Sequence, residues 1–80
     1  MPRKIKIGEM SVTTTKATMD AAFDDHGTIV RSSIDINPAN GQSLGIGHIE
    51  YTTEQAGTDA IAARHNTVFD GATISVTEDR

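Results

Sequence analysis

With 80 residues the chain holds one small domain at most, which excludes an enzyme built from two lobes around a cleft. Sixteen residues are Leu, Ile, Val or Phe, nine of them Ile and one Leu, so the core is thin. The lack of cysteine excludes disulfides and thiolate zinc sites as reinforcement. The net charge of -4 argues against a broad basic surface that grips nucleic acid regardless of sequence, although Arg3, Lys4, Lys6 and Lys16 cluster near the start.

No stretch resembles a signal peptide or reaches the roughly 18 apolar residues of a membrane span. The expectation is therefore an intracellular protein of the cytoplasm or nucleus, with no membrane partner.

In chain order, Ile5 and Ile7 alternate with Lys4, Lys6 and Gly8, the period-2 pattern of a strand with one wet and one dry face. Thr14 or Thr15 then caps a helix whose apolar stripe is Met19, Ala22, Phe23 and, one turn on, His26; Gly27 stops it. A second strand follows, with Val30, Ser32, Ile34 and Ile36 expected on one face and Arg31, Ser33 and Asp35 on the other. Asn37-Pro38-Ala39-Asn40-Gly41 reads as a hairpin loop, and a third strand runs from about Ser43 to Thr52.

Thr53 is an N-cap for a second helix, in which Ala56, Gly57, Ala60, Ile61 and Arg64 recur at helical spacing. Asp70-Gly71 marks a turn, after which Ile74 and Val76 alternate with Thr73, Ser75 and Thr77 in a last strand. The predicted order is β-α-β-β-α-β. Two right-handed crossovers then place both helices on one face of a four-stranded antiparallel sheet and leave the other face open to solvent.

Catalysis has no candidate assembly, because no nucleophile lies beside a recognisable base and orienting group. His48-Ile49-Glu50 matches the H-x-E of zinc deaminases, but that chemistry also requires a P-C-x-x-C element. Asp24-Asp25-His26 carries ligand-type atoms, yet adjacent residues at a helix end point in different directions. Gly45-Ile46-Gly47 sits inside a strand and lacks the third glycine of a dinucleotide loop. No metal site, cofactor or catalytic residue is assigned.

Two segments carry more. The first strand holds Ile5-Lys6-Ile7-Gly8-Glu9-Met10 and the third holds Leu44-Gly45-Ile46-Gly47-His48-Ile49-Glu50-Tyr51. With Ala22-Phe23, Gly27, Ile29-Val30, Gly41, Ala60-Ile61, Phe69, Asp70-Gly71 and Ile74 at collinear spacing, the chain resembles the RNA recognition motif family from Lys4 to Val76. The family's hexapeptide is commonly I-Y-V-G-N-L, and its octapeptide is K/R-G-F/Y-G/A-F/Y-V-x-F/Y. The resemblance implies one domain over residues 1–80, with a core of about 4–77, of ferredoxin-like α/β architecture. It also implies inward-facing Ile5, Ile7, Ile49, Tyr51, Ile74 and Val76.

The family role is binding single-stranded RNA through three aromatic residues of the open sheet. Here those positions are Lys6, Ile46 and His48, and the leading basic residue of the octapeptide is Leu44. Base–aromatic stacking contributes about 1–3 kcal/mol per base, so the expectation is a monomeric, non-enzymatic module that binds RNA weakly. Lys6, Ile46 and His48 are its family contact positions and Lys4 and Arg31 its phosphate contacts, with Asp35 and Glu50 opposing them. The alternative is a protein-interaction or purely structural scaffold, including a sequence designed on this backbone, with Leu44 and Ile46 at the centre of an apolar patch. His26, Ser32 and Arg64 occupy framework sites where family members usually carry apolar residues, and stability is expected to suffer there.

Overall fold

The computed structural model describes residues 3–79; the outermost ends of the expected 1–80 domain lie outside the described residues. The elements are β1 (Lys4–Gly8), α1 (Lys16–Phe23), a 3-10 turn (Asp24–His26), β2 (Ile29–Ile36), β3 (Ser43–Tyr51), α2 (Glu54–Arg64), β4 (Thr67–Phe69) and β5 (Ala72–Glu78). The sheet order is β2-β3-β1-β5-β4 with every pairing antiparallel.

The sheet therefore has five strands and not the expected four. The extra strand, β4, is three residues long and pairs Thr67, Val68 and Phe69 with Ile74, Thr73 and Ala72. So short a segment, bounded by Asn66 and Asp70 at positive φ, displays no full period of alternation to read.

Both helices begin at threonines. The Thr15 hydroxyl accepts from the Thr18 amide at 3.2 Å, and the Thr53 hydroxyl accepts from the Ala56 amide at 3.2 Å, each satisfying an amide that the first helical turn leaves without a partner. Thr14 is not the cap. It is buried, and its hydroxyl donates to the Asp70 carboxylate at 2.7 Å. That bond ties the entry of α1 to the turn between β4 and β5.

Ile5, Ile7, Ile49, Tyr51, Ile74 and Val76 all point inward and form the core with Met10, Met19, Phe23, Ala56 and Ala60. Tyr51 is fully buried, and its hydroxyl donates to the Phe23 carbonyl at 2.6 Å. That carbonyl ends α1, where helical carbonyls lack intrahelical partners. Gly45, with φ of 76°, admits the chain just beyond β1: the Met10 amide donates to the Gly45 carbonyl at 2.9 Å, and a Cβ on Gly45 would stand 2.5 Å from the Met10 carbonyl oxygen.

The face expected for β2 is corrected at two points. Ile29 pairs with Tyr51 and Arg31 with Glu50, so the register shifts by one residue at Val30. Ile29 takes the place against the core, and Val30 is left 52% exposed. A second irregularity between Ile34 and Ile36 leaves Ile36 57% exposed. Bulges of this kind also bend an edge strand and interrupt the flat ladder on which another chain could pair.

Two of the three polar framework residues satisfy one another. Arg64 donates through Nη2 to the Ala22 carbonyl at 2.7 Å and through Nε to His26 Nε2 at 3.4 Å. Its guanidinium also stands 5.7 Å from the centroid of the Phe23 ring, within cation–π range. The cation thus caps the carboxyl end of α1, an arrangement the helix dipole favours. Ser32 is partly buried and pairs with Ile49.

Tyr51→Phe removes one hydroxyl and leaves the Phe23 carbonyl without its buried donor. The expected loss in urea unfolding is about 1–3 kcal/mol, with an unchanged fold by amide NMR. A loss below the error of the fit would show that water replaces the bond.

Candidate nucleic-acid interface

Side chains alternate along a strand, so the inward set on β1 and β3 dictates the outward set. Lys4 and Lys6 are exposed between buried Ile5 and Ile7, and Ile46, His48 and Glu50 are partly exposed between buried Gly45, Gly47, Ile49 and Tyr51. Lys6 lies opposite His48, with Ile46 two residues along β3 on the same face. The three family positions named from the sequence are therefore brought together at the centre of the uncovered face. Lys4 and Arg31 both flank Glu50, from β1 and β2 respectively.

The cations of this face are matched by carboxylates. Arg31 Nε stands 3.1 Å from Glu50 Oε1. His48 is held from two sides, with Nδ1 at 2.8 Å from Asp79 Oδ2 and Nε2 at 3.2 Å from Asp35 Oδ2. Lys4, Lys6 and Arg31 thus share the central face with Asp35, Glu50 and Asp79, which leaves the balance of charge to the imidazole.

Asp35 and Glu50 are legible from the sequence as opposing charges, whereas Asp79 is not, because it follows the last alternating residues. Its place is fixed by the backbone: the Asp79 amide donates to the Lys4 carbonyl at 2.8 Å, extending the β5–β1 ladder by one step. An open cavity of about 200 Å³ lies over this region, lined by Lys4, Arg31, Ser33, His48, Glu50 and Asp79 among others. Leu44, further along β3, is 51% exposed.

The hydrogen bond that Asp79 accepts raises the His48 pKa above its ordinary value of 6.5; partial burial works against it, and the Asp35 hydrogen bond and both carboxylate charges reinforce it. Because the folded value lies above the unfolded one, the clamp contributes stability fully below pH 6.5 and loses it as pH rises through the folded pKa. Imidazole proton shifts of His48 followed by NMR should titrate above 6.5, and Asp79→Asn should lower the midpoint more than Asp35→Asn. A His48 midpoint at or below 6.5 in the parent would mean that the two carboxylates do not hold the ring in solution.

The RNA recognition motif family profile matches residues 5–75. The small ribosomal subunit protein cS22 of Arabidopsis thaliana is 28% identical over 75 residues, covering 94% of this chain and 30% of that protein. The chloroplastic organelle RRM domain-containing protein 1 of Oryza sativa subsp. japonica is 32% identical over 74 residues, covering 92% of this chain and 18% of that protein. The chain therefore spans less than a third of the length of either relative. Among solved structures, a Sex-lethal protein–RNA complex superposes with a TM-score of 0.93 at 22% identity, covering 98% of this chain and 48% of that one. Matched by the family profile along nearly its whole length, the chain belongs to the RNA recognition motif family.

Proposed function

We propose that the chain is a single RNA-recognition module that works as a monomer and binds single-stranded RNA weakly through the open sheet face. The observation that carries this reading is the grouping of Lys4, Lys6 and Arg31 on one uncovered face around Ile46 and His48. Lys6 and Ile46 offer a cation and an aliphatic surface where the family has rings, and Lys4 and Arg31 meet phosphates. Affinity is low for two reasons. The stacking platforms are missing, and Glu50, Asp35 and Asp79 already engage Arg31 and His48. Among the described residues no helix is long and apolar enough to cross a membrane. The expected cytoplasmic or nuclear location widens to organelles, since one relative is named for the chloroplast.

A protein-interaction scaffold is the second reading, favoured by half-exposed Leu44 on the same strand as Ile46. Salt separates the two. Phosphate contacts from three cations, Lys4, Lys6 and Arg31, to single-stranded RNA give a slope of about -2 in log affinity against log salt, a loss of roughly 20-fold between about 50 and 200 mM. Fluorescence anisotropy with a mixed RNA pool should follow that slope, and Lys6→Ala should weaken binding at low salt. A silent titration at low salt would leave the scaffold reading.

Aromatic replacement tests the register of the face. Lys6→Tyr, Ile46→Phe and His48→Phe combined should tighten RNA binding by at least tenfold, at about 1–3 kcal/mol per stacked base. No gain in a variant with a native NMR fingerprint would show that these positions do not meet bases.

A further inference from the structure

The cavity over the sheet has a layout that phosphate attraction alone does not explain. Lys4 on β1 and Arg31 on β2 both register with Glu50 on β3, so an acceptor-only carboxylate stands between two cations. Asp79 adds a second carboxylate to the same wall, and Ser33 and His48 are among its other lining residues. The pairings seen engage one oxygen each: Oε1 of Glu50 with Arg31, and Oδ2 of Asp79 with His48. A carboxylate has two oxygens and about four acceptor sites, so both groups retain capacity. Arg31 meets Glu50 through Nε, which leaves its terminal nitrogens able to fork onto a phosphate.

A nucleotide has the complementary arrangement, an anionic phosphate at its rim and a base edge toward the centre. Resting on the RNA-binding reading, we propose that this cavity is a nucleotide subsite that selects cytosine and adenine, through their N4 and N6 amines, against uracil, which has a carbonyl at the corresponding position. The N4 amine of cytosine and the N6 amine of adenine donate to a carboxylate oxygen. The corresponding position of uracil is a carbonyl, which sets acceptor against acceptor. Glu50 reads the amine, Asp79 narrows the choice from the side, and Lys4 and Arg31 hold the flanking phosphates. A site that presents acceptors also disfavours a ligand carbonyl, because the partly buried carboxylate gives up water and gains no donor in return.

The experiment is an anisotropy titration of the whole chain at low salt and pH 8 with labelled hexamers of cytidine, adenosine and uridine. The cytidine and adenosine hexamers should bind at least about fivefold tighter than the uridine hexamer. Glu50→Gln, whose amide offers both a donor and an acceptor, should bring the three affinities within about twofold while its NMR fingerprint stays native. Equal affinities in the parent, or a preference for uridine, would overturn the selectivity while leaving RNA binding intact. A preference that survives Glu50→Gln unchanged would assign it to base stacking and overturn the role of Glu50. No binding of any hexamer would instead remove the RNA-binding reading itself.

Discussion

Everything on the open face depends on the strict alternation of β1 and β3 against the core. A slip of one residue would send Lys4, Lys6, His48 and Glu50 inward and Ile5, Ile7, Ile49 and Tyr51 into water. The inward set includes three side chains with no measurable exposure, Ile5, Ile7 and Tyr51, and burying a side chain of that size contributes about 1.5–3 kcal/mol. The register is therefore defended by several of the largest buried side chains of the core. Tyr51 adds direction to that energy, because its hydroxyl finds the Phe23 carbonyl at 2.6 Å only when β3 and the end of α1 are both in place.

Once the register is fixed, the charges of the sheet face follow, and they compensate one another more than their number suggests. Arg31 and His48 meet carboxylates directly. Such pairs, still open to water on one side, contribute modestly to stability. Their larger effect is to order the face: His48 is held at both ring nitrogens, so its orientation is set before any ligand arrives. An interface whose side chains are already ordered loses less entropy on binding.

Much of this is legible in the sequence, and the failures have definable physical causes. The alternation of Ile5 and Ile7 with lysines, and of Ile49 and Tyr51 with His48 and Glu50, identifies the two central strands and both faces. The Thr53 cap, a cap at Thr14 or Thr15, and the turn at Asp70-Gly71 are visible through local chemistry; the choice of Thr15 needs the tertiary bond that draws Thr14 to Asp70. Val30 escapes the pattern because a bulge inserts a residue into the count without any composition mark, and β4 because three residues carry too little periodicity. Asp79 acquires its place from a backbone bond to Lys4, a long-range contact that no local pattern encodes. Arg64 and His26 look like damage when each is weighed against an apolar site; in the fold they meet each other.

A sheet with a lysine, an isoleucine and a histidine where the family has rings changes what recognition can achieve. One stacked base contributes about 1–3 kcal/mol almost regardless of its identity, whereas a hydrogen bond to a charged group contributes a comparable amount only when the ligand presents the right donor. On the proposed RNA-binding reading, Lys6, Ile46 and His48 in place of three platforms lower the affinity common to all bases. It leaves the acceptors Glu50 and Asp79 as a larger share of whatever binding remains. Specificity is a difference between affinities and not their sum, so a weak face of this composition can discriminate between bases at least as sharply as a strong one. On that same reading, the arrangement suits a module that contributes selectivity within an assembly, where neighbouring contacts raise the effective concentration of RNA at its surface.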